Sequence, residues 1–491
     1  MEYLIKKFQQ EPHLGDQVEY LIIEHFKGGY DDMNKLPSLL SLTPNLRYFY
    51  HQAWYGSYVK IQSLIQPWCK RIEHLAIHGS RSITINLIFY NKFEQIRSLY
   101  IPRKNVFDPA CFSKVTNLHT LTELTLDQCG VNLTFFHLEY LFEKLPSLES
   151  LTIIQLGIMY DALPLDIVPV TSLKKLHLAS IQSTDVKTRV RWLQYIGKKF
   201  PNVSDLQNKY INDELSEEVD ELGNTTDILE GYTSLFHGLA SKLTTLDIQS
   251  ESLPHTFFEL LDNAGCLLHY LKLSTRTDSP LFQNIGNSKQ AESIQTLEIS
   301  FNSLSDLKWL ITMTRLRTLV VNMLKRTRPI QLNAFLNLCP PTLVALEMFQ
   351  MNLSVGMRGY PHPLQSLTLT KCRFYNPIDV FISTYLQQLH TIKIYYCLYT
   401  FDDASKLNIP NHALTCFEMV DSENRPHFSV LVVTSKEKRL YKSGYKSRKI
   451  PLKVQNNELT SLCPPTRCSV PGPRVHHDFM LRCASVGKVI L

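Results

Sequence analysis

The sequence predicts an α/β chain built as a stack of strand–helix coils, a solenoid with parallel strands on one wall and helices on the other. Three observations carry that prediction: an apolar motif repeating at a near-constant period, a change of periodicity within each period, and a composition able to fill a long core. The chain has 491 residues, 44% apolar and 20% charged, with 18 Gly and 25 Pro. That composition is globular, neither disordered nor collagen-like.

The motif is L-x-x-L-x-L, with Ile, Val, Phe or Met substituting. It reads Val18/Leu21/Ile23, a weak Leu46/Phe49, Ile72/Leu75/Ile77, Ile96/Leu99/Ile101, Leu121/Leu124/Leu126, Leu148/Leu151/Ile153, Leu173/Leu176/Leu178 and a degenerate Val203/Leu206. It resumes at Leu243/Leu246/Ile248, Leu268/Leu271/Leu273, Ile294/Leu297/Ile299, Leu316/Leu319/Val321, Leu343/Leu346/Met348, Leu364/Leu367/Leu369, Leu389/Ile392/Ile394 and Leu414/Phe417/Met419. From Val18 to Leu414 the fifteen intervals average 26.4 residues, inside the period of leucine-rich repeats. One copy is cheap, because Leu is common; sixteen in near-constant spacing are not.

Within x-L-x-L the apolar residues alternate, as in a strand with one buried side. Between motifs the period becomes helical: Val59, Ile61, Leu64, Ile65 and Trp68; Leu133, Phe136, Leu138, Leu141, Phe142 and Leu145; Val186, Val190, Leu193, Ile196 and Phe200; Ile378, Phe381, Ile382 and Leu386. One such unit cannot bury both apolar faces alone, so neighbours must stack. The expected fold is therefore a right-handed leucine-rich-repeat solenoid, horseshoe-shaped and ribonuclease-inhibitor-like, with strands on the concave wall and helices on the convex one.

In chain order, residues 1–17 are expected to form a helix leading into the array, and residues 18–433 the repeats. The 40-residue interval from Val203 to Leu243 contains Asp213, Glu214, Glu217, Glu218, Asp220, Glu221, Asp227 and Glu230, so an acidic insertion is expected near 207–242. Residues 434–491 are expected to form a basic cap and, from about Leu459, a proline-rich irregular tail. Residues 421–491 hold 13 Lys/Arg against 5 Asp/Glu, while the whole chain has a net charge of +6, so the body is near neutral.

Several strands are preceded by Thr43-Pro44-Asn45-Leu46, Leu145-Pro146-Ser147-Leu148, Phe200-Pro201-Asn202-Val203 or Cys339-Pro340-Pro341. The ninth repeat position is Cys129, Asn302, Cys372 or Cys397. Together with the opening Leu4-Ile5-Lys6-Lys7-Phe8 and Pro12-His13-Leu14-Gly15-Asp16-Gln17-Val18, these features resemble the cysteine-containing leucine-rich repeats of F-box proteins, especially fungal ones. The likeness covers residues 1–433. It implies a protein substrate on the concave face, with a Skp-type adaptor and a cullin ubiquitin ligase as partners. An F-box needs about 45 residues and some 17 precede the first repeat, so the F-box itself is not expected in this chain.

No catalytic residue, cofactor or metal site is expected. There is no G-x-S-x-G, P-loop, H-E-x-x-H or dinucleotide fingerprint. The cysteines at the ninth position read as packing groups that satisfy strand-end backbone. The Cys463, Cys468, His476, His477 and Cys483 group lacks the paired spacing of a zinc site. A near-neutral body argues against nucleic acid. The absence of an apolar run of about 18 residues argues against a membrane span, and the start is unlike a signal peptide, so cytosol or nucleus is expected. What remains is binding by the residues between the leucines. Tyr48, Tyr50, His74, Tyr100, Lys175 and His177 are the candidate contact residues, with Tyr48, Tyr50 and Tyr100 as the hot spot. His78, Asp247, Tyr270, Lys272, Glu298, Glu347, Lys393 and Tyr395 share that face.

Overall fold

The computed structural model describes residues 1–23, 34–53, 63–79, 93–101, 118–127, 132–154, 157–158, 162–183, 186–210, 223–249, 253–274, 281–301, 307–323, 329–356, 360–399, 406–420, 429–434, 438–442, 449–450, 454–455, 458–459 and 479–490. The chain is α/β with a large parallel sheet, divided into two compact units, Met1–Leu268 and His269–Leu491.

In the first unit the motif positions become strands β1 (Tyr20–Ile23), β2 (Tyr48–Ala53), β3 (His74–Gly79), β4 (Ser98–Ile101), β5 (Glu123–Asp127), β6 (Ser150–Ile154), β7 (Lys175–Ser183), β8 (Asp205–Tyr210) and β9 (Thr245–Gln249). Each pairs in parallel with the next, motif residue against motif residue: Phe49 opposite Leu75, Leu99 opposite Leu124, Leu151 opposite Leu176, Leu206 opposite Leu246. The register is held at each strand's start. Arg47 N–H and Tyr48 N–H both donate to Glu19 O, Glu73 and His74 N–H to Arg47 O, and so on to Thr244 and Thr245 on Ser204 O. A carbonyl has two lone pairs, and here both are used. The motif residues then form buried rows, Leu46, Ile72, Ile96, Leu121, Leu148 and Leu173 in one and Phe49 through Leu246 in the next, each full burial worth about 1.5–3 kcal/mol.

Opposite the strands lie α1 (Phe135–Lys144), α2 (Val186–Lys199), α3 (Gly223–Leu239) and α4 (Phe257–Ala264). Helix α1 starts at a capping box in which Thr134 accepts from His137 N–H and His137 Nδ1 accepts from Thr134 N–H. Phe135 packs on Tyr195 and Trp192 at ring-centroid distances of 4.6 and 5.1 Å. Lys199, 3% exposed, is paired with Glu139, which also accepts from Tyr195 Oη at 2.8 Å. Helices α2 and α3 touch backbone to backbone: a Cβ on Gly238 would lie 2.0 Å from Gly197 O.

Helix α3 takes the C-terminal part of the stretch expected as an insertion. Ile228, Tyr232, Leu235, Phe236 and Leu239 are buried, so residues 223–239 are an ordinary helix of their coil, and the acidic residues 213–221 lie outside the described residues. A second difference concerns the outer wall, which is not uniformly α-helical. Gln66–Arg71 and Leu307–Thr312 are 3₁₀, and the 21-residue coil from Leu343 to Leu364 has no helix among its described residues. A 3₁₀ turn rises about 2.0 Å per residue against 1.5 Å for α, so it spans a short coil with fewer residues.

The second unit repeats the pattern in β10 (Tyr270–Ser274), β11 (Thr296–Phe301), β12 (Thr318–Met323), β13 (Ala345–Phe349), β14 (Ser366–Thr370), β15 (Thr391–Tyr395) and β16 (Lys406–Val420), parallel in sequence order. The same paired N–H grip runs from Gln295 and Thr296 on His269 O to Thr415 and Cys416 on His390 O. After β13, β14 and β15 the chain kinks through Gln350, Lys371 and Tyr396, with φ of 57°, 54° and 55°, into a second short parallel ladder of Asn352–Ser354, Arg373–Phe374 and Leu398–Tyr399. Hydrogen bonds from Gln350 N–H to Thr370 O and from Lys371 N–H to Tyr395 O hold two of the kinks, at 2.9 and 2.7 Å. The expected irregular tail is in part regular: Phe479–Ile490 is a strand paired with β16 on one side and with Ser429–Val433 on the other.

One core position breaks the apolar pattern. Asn208 takes the sixth motif place, opposite Leu178 and Ile248; it is 1% exposed, and neither amide atom has a hydrogen-bond partner among the described residues. An unpaired buried amide costs about 1–3 kcal/mol. Asn208→Leu is therefore expected to raise stability by roughly that amount, measured as a higher denaturant midpoint at unchanged slope.

Candidate functional site

Strand alternation that buries the motif residues turns the residues between them outward, and the register aligns them in rows. In the first unit one row runs Tyr20, Tyr48, His74, Ser98, Glu123, Ser150, Lys175, Asp205, Thr245. The next runs Ile22, Tyr50, Ala76, Tyr100, Thr125, Thr152, His177, Gln207, Asp247.

The first row opens with an aromatic stack. Tyr20 and Tyr48 lie 4.0 Å apart with planes within 14°, and Tyr48 and His74 lie 4.0 Å apart within 8°. A hydrogen bond with the Tyr20 hydroxyl is the first cause that raises the Tyr48 phenol above its ordinary value. Burial lowers the His74 imidazole below its ordinary value, which favours the neutral ring. Beside it, in the second row, Tyr50 and Tyr100 flank the half-exposed Ala76. Their backbones are two strand spacings apart, about 10 Å, and the small Ala76 sets the face back at that position, a slot between the two tyrosines. The Tyr100 hydroxyl donates to Asp127, which fixes that wall.

The charges on this face are mostly paired with one another. Arg47 and Arg97 bracket Glu73 at 3.4 and 3.7 Å. Lys174 meets Glu149 at 2.9 Å, His177 meets Asp205 at 3.1 Å, and Lys209 meets Asp247 at 2.8 Å. The structure thus gathers Tyr48, Tyr50, His74 and Tyr100 into one area. Lys175 and His177 stand three strands beyond Tyr100, outside that cluster. Tyr20 and Ile22, 58% and 62% exposed, belong to the cluster and were not among the expected residues. The signal was present: Tyr20 precedes Leu21 as Tyr48 precedes Phe49. The side chain of His78 lies outside the described residues.

On the second unit, Tyr270 Oη donates to Glu298 at 3.1 Å, and Lys272 is paired with the same carboxylate. Lys393 lies 3.6 Å from Glu418. Burial, then a hydrogen bond with Glu418, holds the Tyr395 phenol well above its ordinary value. Glu347 occupies the row between Val320 and Thr368.

The ninth-position thiols are backbone partners. Cys372 Sγ donates to Met348 O and Cys397 Sγ to Leu369 O, both at 3.4 Å and both one coil back. Cys129 and Asn302 lie outside the described residues, as do Cys463, Cys468, His476 and His477; the side chain of Cys483 is likewise undescribed. Among the described residues no cluster of three His, Cys, Asp or Glu side chains is placed to hold a metal, and no helix is long and apolar enough to cross a membrane. Comparison with protein-family models and with curated protein sequences finds no match.

Burial pushes the Cys266 thiol up to about 12 and raises Cys339 further. The thiolate is the reactive form. At mildly alkaline pH, Cys266 and Cys339 are expected to resist iodoacetamide in the folded chain and to react fully in denaturant, as mapped by mass spectrometry. Rapid native labelling of either contradicts the buried placement.

Proposed function

We propose that the chain is a non-enzymatic protein-recognition array that holds a protein client on the outward face of its strands. The observation that carries this reading is the Tyr50–Ala76–Tyr100 slot beside the Tyr20–Tyr48–His74 stack. Aromatic groups on a rigid sheet supply large contact area at low entropic cost. The neighbouring charges are already paired with one another, so a client need not supply counter-ions for them.

On the same reading the array is a right-handed leucine-rich-repeat horseshoe of ribonuclease-inhibitor type, with this face as its concave wall. The resemblance to F-box proteins with leucine-rich repeats supports a role as the client-binding part of a Skp–cullin–RING ubiquitin ligase, in the cytosol or nucleus. The ligase supplies the chemistry, so no catalytic group, metal or cofactor is required of this chain.

The test compares affinity capture by the wild type and by Tyr50→Ala combined with Tyr100→Ala. The wild type is expected to retain a client, together with a Skp-type adaptor and cullin held through contacts other than the F-box that this chain is not expected to contain. The double variant is expected to lose the client, keep the adaptor and melt a few degrees below the wild type, because both side chains are half-buried and Tyr100 gives up its hydrogen bond to Asp127. Retention of the client by the variant overturns the slot as the binding site. Absence of adaptor and cullin from both captures overturns the ligase role and leaves a free-standing recognition array.

A further inference from the structure

The outer edge of β1 carries backbone groups that have no partner among the described residues. In eight successive coils of the first unit, the two N–H groups that open the strand donate together to one carbonyl of the coil before, beginning with Arg47 and Tyr48 on Glu19 O. In the first coil the equivalent pair, Glu19 N–H and Tyr20 N–H, has no such carbonyl among the described residues. Alternate residues of a parallel strand bond to opposite neighbours. Since Tyr48 N–H donates to Glu19 O, the N–H and C=O of Tyr20 and the N–H of Ile22 face away from β2.

Side chains along the same edge are uncovered as well. Tyr20 ends the aromatic stack with one ring face open, and Ile22 stands beside it, 58% and 62% exposed. Leu21 is half-buried, whereas its row neighbours Phe49 and Leu75 are 1% and 3% exposed. Glu19 is exposed and in no ion pair among the described residues.

These features define the occupant. The paired N–H groups require a carbonyl, and Tyr20 C=O and Ile22 N–H continue the demand at strand pitch, so the partner presents extended backbone. A stack built at 4.0 Å with near-parallel planes takes a flat ring next. An apolar residue after that ring covers Leu21, and a basic residue before it faces Glu19. The chain's own β2 shows the pattern, since Arg47-Tyr48-Phe49 follows β1 on its inner side.

We propose that β1 is a docking edge for an extended basic–aromatic–apolar segment of a partner protein, which adds as one more parallel strand and stacks its aromatic ring on Tyr20. Strand addition of this kind draws affinity from main-chain hydrogen bonds and specificity from alternate side chains. The edge shares Tyr20 and the aromatic stack with the recognition face, but its test reads the β1 backbone and not the Tyr50–Ala76–Tyr100 slot, so failure of one is distinguishable from failure of the other.

The probe is the peptide acetyl-Lys-Arg-Tyr-Leu-Tyr-Lys-amide, and the readout is residue-resolved amide hydrogen exchange on the full chain. In the free protein Tyr20 and Ile22 amides are expected to exchange fast while Leu21 exchanges slowly. The peptide is expected to slow Tyr20 and Ile22 at least tenfold. Replacing its first Tyr by Ser is expected to weaken binding by up to about tenfold, the contribution of one aromatic pair. Ile22→Pro removes an edge donor without removing a β1–β2 bond and is expected to abolish the protection at Tyr20. If Ile22→Pro lowers the melting temperature, Tyr20→Ala tests the stack alone and is expected to match the loss seen with the serine peptide. Slow exchange at Tyr20 and Ile22 without peptide, or equal binding by the serine peptide, overturns the proposal.

Discussion

The shared carbonyl at the start of each strand is the constraint on which the other features depend. Two successive N–H groups close on one oxygen of the previous coil, so a slip by one residue loses both bonds. It also turns the leucine row toward water, because strand side chains alternate with a period of two. Hydrogen bonding and burial therefore select the same register. With the register fixed, residues some 25 positions apart become neighbours about 4.8 Å apart, and the outward rows are determined as firmly as the buried ones.

That logic explains which features were readable in the sequence. The buried rows were, because Leu246, Leu297 or Leu367 each stands in a motif whose period repeats. The function of Cys372 and Cys397 was readable too, since a small polar group recurring after a strand must answer a recurring backbone need. The outer wall was less so. Whether a coil spans with an α-helix, as at Val186–Lys199, or a 3₁₀ turn, as at Leu307–Thr312, depends on the length left after the strand and on its neighbours. The acidic run beginning at Asp213 hid the apolar face of Gly223–Leu239, and prolines upstream hid the alternation that makes Phe479–Ile490 a strand.

The candidate surface shows the limit of reading residue types alone. Tyr50 and Tyr100 are fifty residues apart in the chain, and their identity suggests contact area but not shape. The shape comes from Ala76, an unremarkable residue that the register places between them. Likewise Tyr20 gains meaning from stacking on Tyr48, while Lys175 and His177 lie three strands away from that cluster.

The pairing of charges on the first unit's face narrows how it can bind. Glu73 is held between Arg47 and Arg97, and Asp247 by Lys209. A client that displaced these partners would pay desolvation for each charge left unmatched. The two carboxylates are largely buried and neutralised in place, which keeps the local field small. On the proposed reading, long-range steering is then weak and discrimination falls to shape at the aromatic slot. The second unit uses the same residue types differently, since Tyr270 and Lys272 share Glu298. There the tyrosine hydroxyl is tied down in a polar cross-link between strands, while on the first unit Tyr20 keeps a ring face open. Which rings are left uncovered, more than how many tyrosines a face holds, decides where a partner can settle.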